Sequence, residues 1–184
     1  MKKVFFYAFS ALLFVTTSCD KDDDNTPVPV NEEEVITTLT VKLTPTTGTA
    51  IELKSFDADG DGPNVPVLSV SGALAANTSY AGVIELLNEL ETPAEDITDE
   101  VNEESDEHQF VFTLNGLSDV VIDNLNTDTN GMPLGSTFDL TTGAAGSGSI
   151  TFTLRHEPTK PNDGTSAGVG GDTDIEATFD VVVQ

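Results

Sequence analysis

The sequence predicts an all-β protein: an antiparallel β-sandwich, with one acidic helix inserted at about 93–106. Three observations predict it. Period-two alternation of apolar and polar residues recurs from Val35 to the C-terminus. Clusters of Gly, Asn, Asp and Pro cut that alternation into short segments. A single stretch carries helix-start chemistry. A chain of 184 residues suits one domain behind an export signal and a tether.

The first strand begins at Val35. Val35, Thr37, Leu39, Val41 and Leu43 alternate with Ile36, Thr38, Thr40, Lys42 and Thr44, and Pro45 stops the run. Further strands are expected at 49–56, 66–71, 79–87, 108–114, 118–123, 136–142, 148–156 and 173–183. The last is the clearest. Ile175, Ala177, Phe179, Val181 and Val183 share one face, with Glu176, Thr178 and Asp180 on the other. The helix is expected from Pro93 to about Asp106. Thr92 can cap it, Pro93 suits the first position, and Glu95 completes a capping box. Ile97 and Val101, four apart, would dock it. Ten acids and no Lys or Arg lie between Glu89 and Glu107, so repulsion would melt this helix without that docking.

The charge balance narrows function. With 32 acidic residues against 7 basic, the net charge is −25, which excludes a phosphate-backbone partner such as nucleic acid. A single Cys excludes an internal disulfide and a Cys-cluster zinc site. No nucleophile elbow, zinc-protease helix or phosphate loop stands in a suitable context, so an enzyme is not expected. The runs at Gly143–Gly148 and Gly168–Gly171 read as hairpin or rim loops.

The N-terminus reads as an address. Lys2 and Lys3 precede an apolar stretch from Val4 to Val15, then Thr16, Thr17, Ser18 and Cys19. This segment resembles a bacterial lipoprotein signal, in which the Cys becomes the acylated first residue. Thr16 stands where such signals usually carry Leu. The resemblance implies a signal peptide at 1–18 and lipidation at Cys19. Asp20, Lys21 and Asp22–Asp24 resemble the acidic run that sends lipoproteins to the outer face of the outer membrane. Residues 19–34, with Pro27, Pro29 and Glu32–Glu34, are expected to be an acidic, disordered tether, leaving 35–184 as the sandwich.

Stretches such as NEEEVITTLT, DADGDG, SDEHQF and LRHEP resemble a small family of surface lipoproteins, to which a type 1 periplasmic binding fold label is attached. That fold needs two parallel α/β lobes, and this chain is too short and too β-rich for them. The segment from Leu74 to Tyr80, followed by Gly82, Ile84 and Leu86, resembles a strand start in immunoglobulin-like or fibronectin-like modules. There a Tyr hydroxyl fixes a corner, a role the resemblance gives to Tyr80.

Two patterns carry candidate metal chemistry. Asp57, Asp59 and Asp61 alternate in a Gly-containing loop, a spacing that can wrap Ca²⁺. Leu68 occupies the position where an EF-hand needs Glu, so this is not one, and the alternative is plain turn chemistry, since Asp, Asn and Gly make loops. Asn126–Gly131 is a looser version. The second pattern is the His pair. His108 is in phase with Phe110, Phe112 and Leu114, and His156 with Ile150, Phe152 and Leu154. If the two strands are antiparallel neighbours, the imidazoles meet at one end of the sandwich, where they suit Zn²⁺, Cu²⁺ or haem iron. Asp106 would share their face if the strand starts there. Otherwise each His is an ordinary strand-end residue. The expected function is a non-catalytic cell-surface binding module, capturing a small solute such as a transition metal or metal complex for an outer-membrane transporter. The alternative is a Ca²⁺-stabilised structural or adhesive module.

Overall fold

The structure is a computed structural model that describes residues 34–60 and 62–184. The expected export signal, Cys19, the expected tether up to residue 33 and Asp61 lie outside the described residues. In chain order the elements are β1 (Thr38–Pro45), β2 (Ile51–Phe56), β3 (Val67–Val70), β4 (Ser79–Asn88), β5 (Glu95–Asp96), α1 (Ile97–Glu103), β6 (His108–Asn115), β7 (Val121–Asp123), β8 (Thr137–Thr141), β9 (Gly146–His156) and β10 (Asp172–Val183). Every strand that the alternation predicts is present, and β5 is added.

The strands form two antiparallel sheets. The larger runs β3-β2-β1-β4-β8-β7, with the short β5 beside β4, and the smaller runs β10-β9-β6. Their inner faces make one core. Leu39, Val41 and Leu43 of β1 and Tyr80, Ile84 and Leu86 of β4 pack with Phe110, Ile150, Phe152, Leu154 and Phe179 of the smaller sheet. Phe138 on β8 reaches across, its ring centroid 4.9 Å from Phe112 and 6.1 Å from Phe152. Gly82 lies opposite Phe138, and a Cβ there would fall 2.4 Å from the ring, so the missing side chain makes room for the aromatic. Each fully buried Leu, Ile or Phe contributes about 1.5–3 kcal/mol by leaving water. At the corner before β4, the Tyr80 hydroxyl accepts the Ala75 N–H at 2.7 Å, the role its resemblance implied.

The helix is shorter than expected. Thr92 does not cap it. Glu95 and Asp96 pair with Leu87 and Asn88, so the chain stays extended until Asp96. Asp96 is the cap, accepting the Thr98 N–H at 3.0 Å. Strand pairing has overridden the capping box. Ile97 and Val101 are buried, as their spacing predicts. The Thr98 hydroxyl ties α1 to the Leu86 backbone, donating to its carbonyl at 3.2 Å and accepting its N–H at 2.8 Å. After Glu103 the chain turns through residues 104–107 and enters β6 at His108. Among the described residues no helix is long and apolar enough to cross a membrane.

Candidate metal centre

The register of the smaller sheet builds the site. β6 and β9 are antiparallel neighbours, and His108 lies directly opposite His156. Cross-strand partners share a face, so the two imidazoles stack, 4.7 Å between centroids with 24° between planes. The Glu157 N–H donates to the Glu107 carbonyl at 2.7 Å and closes the ladder just beyond them. β10 lies on the other side of β9. Its register slips by one residue between Thr173 and Ile175, which makes Asp174 the extra residue of a β-bulge. Simple alternation would put Asp174 outside with Glu176 and Thr178. The bulge turns its side chain in, leaving it 3% exposed. Glu34 comes from the other sheet, in the segment that leads into β1, and its side chain is 4% exposed.

Each carboxylate straddles both rings. Glu34 Oε1 lies 2.9 Å from His108 Nε2, and Glu34 Oε2 lies 3.7 Å from His156 Nδ1. Asp174 Oδ2 lies 3.9 Å from His108 Nε2, and Asp174 Oδ1 lies 3.6 Å from His156 Nδ1. One donor atom from each residue can be chosen so that all four lie within 4.8 Å of one another. Four N and O donors on a tetrahedral ion at ~2.0–2.2 Å stand roughly 3.4 Å apart, so only small adjustments separate this cluster from a coordination shell. His108 Nδ1 sits 3.1 Å from the Glu104 carbonyl in the turn after α1. An Nδ1–H donated there leaves the Nε2 lone pair facing the carboxylates, the usual way a backbone group fixes a ligating tautomer.

The cluster is incompletely satisfied by protein alone. His108 is fully buried and His156 is 3% exposed. Among the described residues, the Nε2 atoms of both, and Glu34 Oε2, are buried without a hydrogen-bond partner. The 2.9 Å approach of Glu34 Oε1 to His108 Nε2 is an ion pair when that ring is protonated. Burial pulls the His108 pKa down, yet the adjoining Glu34, the Glu104 carbonyl and the Asp174 charge outweigh it and hold the imidazole above its ordinary value. Burial pushes Glu34 up, and its contact with His108, a hydrogen bond with its own backbone and attraction to imidazolium charge in the cluster outweigh that, holding it below the usual carboxylate range. On the outer side of α1, Glu100 is pushed up by desolvation and then by the charges of Glu34, Glu104 and Glu95. The neighbourhood therefore has excess negative charge.

Among the described residues this cluster of Glu34, His108, His156 and Asp174 can hold a metal ion. The two His converge as the strand phase allowed. Asp106 does not join them. It is exposed in the turn at 104–107, because β6 starts only at His108 and the turn carries Asp106 off the strand face.

The Asp57 loop behaves as a turn: Asp57 Oδ1 accepts the Asp59 N–H at 3.2 Å, and Asn64 Nδ2 donates to Asp59 Oδ2 at 2.6 Å. Its third acid, Asp61, is outside the described residues. In the looser loop, Asp128 is already in use. Its Oδ1 accepts the N–H groups of Asn130 and Met132, both at 2.8 Å, and its Oδ2 pairs with Lys160 at 3.1 Å. The second Gly-rich loop is tied down by Arg155, whose guanidinium donates to the Gly170 and Gly171 carbonyls and to the Thr173 hydroxyl. Comparison with protein families, with curated proteins and with solved structures gives no match for this chain.

Proposed function

We propose that this protein is a non-catalytic, lipid-anchored module of the bacterial outer-membrane surface. It captures a divalent transition-metal ion between His108, His156, Glu34 and Asp174 and supplies it to an outer-membrane transporter. One observation carries the reading: two stacked imidazoles flanked by two buried carboxylates, with the Nε2 atom of each ring left without a hydrogen-bond partner among the described residues. Two carboxylates demand two positive charges. Protonating both rings would set two imidazolium ions 4.7 Å apart. A divalent cation between neutral imidazoles balances the charge without that repulsion.

The donor set narrows the ion. Mixed imidazole and carboxylate donors suit Zn²⁺, Cu²⁺ and neighbouring first-row ions, whereas Ca²⁺ prefers oxygen alone. Four protein donors, all nearly inaccessible to solvent, supply a complete shell. A complete shell favours holding an ion over turning over a substrate, which needs an open position. The acid-rich surface concentrates cations around the domain. The surface address rests on the resemblance of residues 1–24 to a lipoprotein signal with an acidic export run.

Calorimetric titration with Zn²⁺ and Cu²⁺ at neutral pH tests the site, with added salt to screen the acidic surface. His108→Ala and His156→Ala should each lose most of the binding, and the double variant little more, because the two act as one site. Equal affinity in wild type and both single variants would refute the metal reading.

A further inference from the structure

The ligands are unevenly distributed over the fold. His108, His156 and Asp174 all sit on the smaller sheet, on β6, β9 and β10. Glu34 sits on the chain just ahead of β1, whose ladders are with β2 and β4 in the larger sheet. Thr37 is the first residue of that segment fixed by the larger sheet. Its N–H donates to the Leu87 carbonyl at 3.0 Å, and its carbonyl accepts the Asp57 N–H at 2.7 Å. Before Thr37, Ile36 is only partly buried against the core, and Val35 is 41% exposed. Glu34 thus carries two buried carboxylate oxygens at the end of a lightly held segment.

We infer that the metal ion is a latch: it fastens the Glu34–Thr37 segment to the smaller sheet, and the ion enters and leaves when that segment lifts. This deepens the proposed metal reading and rests on it. Of the other three donors, His108 and His156 are ladder partners, and Asp174 is held between the paired residues Thr173 and Ile175. Lifting Glu34 breaks no strand pairing. It removes one donor, uncovers the other three, and returns a carboxylate to water. A buried site can then exchange its ion without unfolding the sandwich, since lightly packed segments open at a small fraction of the global cost. Glu34 also directly follows the acidic stretch Glu32–Glu33, so occupancy decides whether the end of the expected tether is clamped to the domain.

Hydrogen exchange on the full-length chain, with Zn²⁺ as the probe, tests this. In wild type, saturating Zn²⁺ should slow exchange at Val35, Ile36 and Thr37 at least about tenfold more than at the core amide of Phe152. Glu34→Ala should still bind Zn²⁺ through the remaining three donors, weakened at least as much as on losing an outer-shell partner, about 10–100-fold. At saturating Zn²⁺ that variant should show no added protection at residues 35–37. Glu34→Gln keeps the shape without the charge and should behave likewise, which guards against a folding defect in the alanine variant. Undiminished protection in both variants, or none in Zn²⁺-saturated wild type, overturns the latch while leaving the site intact. Failure of wild type to bind Zn²⁺ in calorimetry overturns the site and the latch with it.

Discussion

Two buried acidic centres in this protein make opposite use of their charge. Asp128 is satisfied from within: two backbone N–H groups and the Lys160 ammonium take its oxygens, and Lys160 also donates to the Ser105 carbonyl at 2.8 Å. Glu34 and Asp174 face two imidazoles instead, and among the described residues the Nε2 atoms of both rings and Glu34 Oε2 keep no hydrogen-bond partner. Leaving such atoms unpartnered costs about 1–3 kcal/mol each. A fold that satisfies one carboxylate fully and leaves another cluster short has a centre that an added cation could complete.

The largest expected effect separates them by mutation. Lys160→Ala strands the Asp128 carboxylate and should cost about 3 kcal/mol, the lower end for breaking a buried pair. Denaturant melts should show that loss equally with and without Zn²⁺. A loss that Zn²⁺ repairs would mean the two centres are not independent.

Next in size is the response to the ion. At a free Zn²⁺ concentration ~100-fold above its dissociation constant, wild type should gain about 2.7 kcal/mol. For a domain of this length that is a rise in Tm of roughly 5–10 °C. His108→Ala should abolish the rise, and Lys160→Ala should retain it. Thermal melts that rise equally in the His108 variant would transfer the effect to the acidic surface.

The smallest effect is in pH, and its sign differs between the metal-free and loaded protein. The His108 pKa is raised above 6.5, so its contribution to the metal-free fold is complete below that value and lost as pH rises through the folded pKa. Glu34 is lowered below 4.5, so its contribution is complete above that value and lost as pH falls through the folded pKa. The pair therefore supports the metal-free protein best between pH 4.5 and 6.5. Zn²⁺ needs a neutral His108, so the Zn²⁺ increment should instead grow from about pH 6 to about pH 8. An increment unchanged over that range would separate the ion from His108. Asp128, held below 3.8 despite its desolvation, should weaken the fold only in stronger acid.

The sandwich was legible because alternation and turn chemistry are local properties. Ile150, Phe152 and Leu154 mark an inward face whatever their partners are. The His pair was legible for the same reason, since phase put both rings on the core side and only their strand neighbourhood remained to be found. The two carboxylates were not. Asp174 escapes parity because a bulge shifts the register, and nothing around Thr173 and Ile175 announces the extra residue. Glu34 belongs to a run of three acids that reads as solvated tether, and only the approach of the two sheets gives it a buried place. Asp106 had the right chemistry two residues too early, where a turn takes precedence over the strand.

The bulge at Asp174 also bears on how such a site can be gained or lost through descent. Thr173 pairs with Arg155 and Ile175 with Leu154, so the ladder is continuous on both sides of the one residue it skips. Excising that residue would close the strand into an unbroken ladder and keep every inward side chain from Ile175 to Val183 on its present face. A single-codon insertion or deletion would thus toggle one ligand while sparing the hydrophobic register. Lineages carrying this sandwich could gain or lose that inward carboxylate without re-evolving the scaffold beneath it.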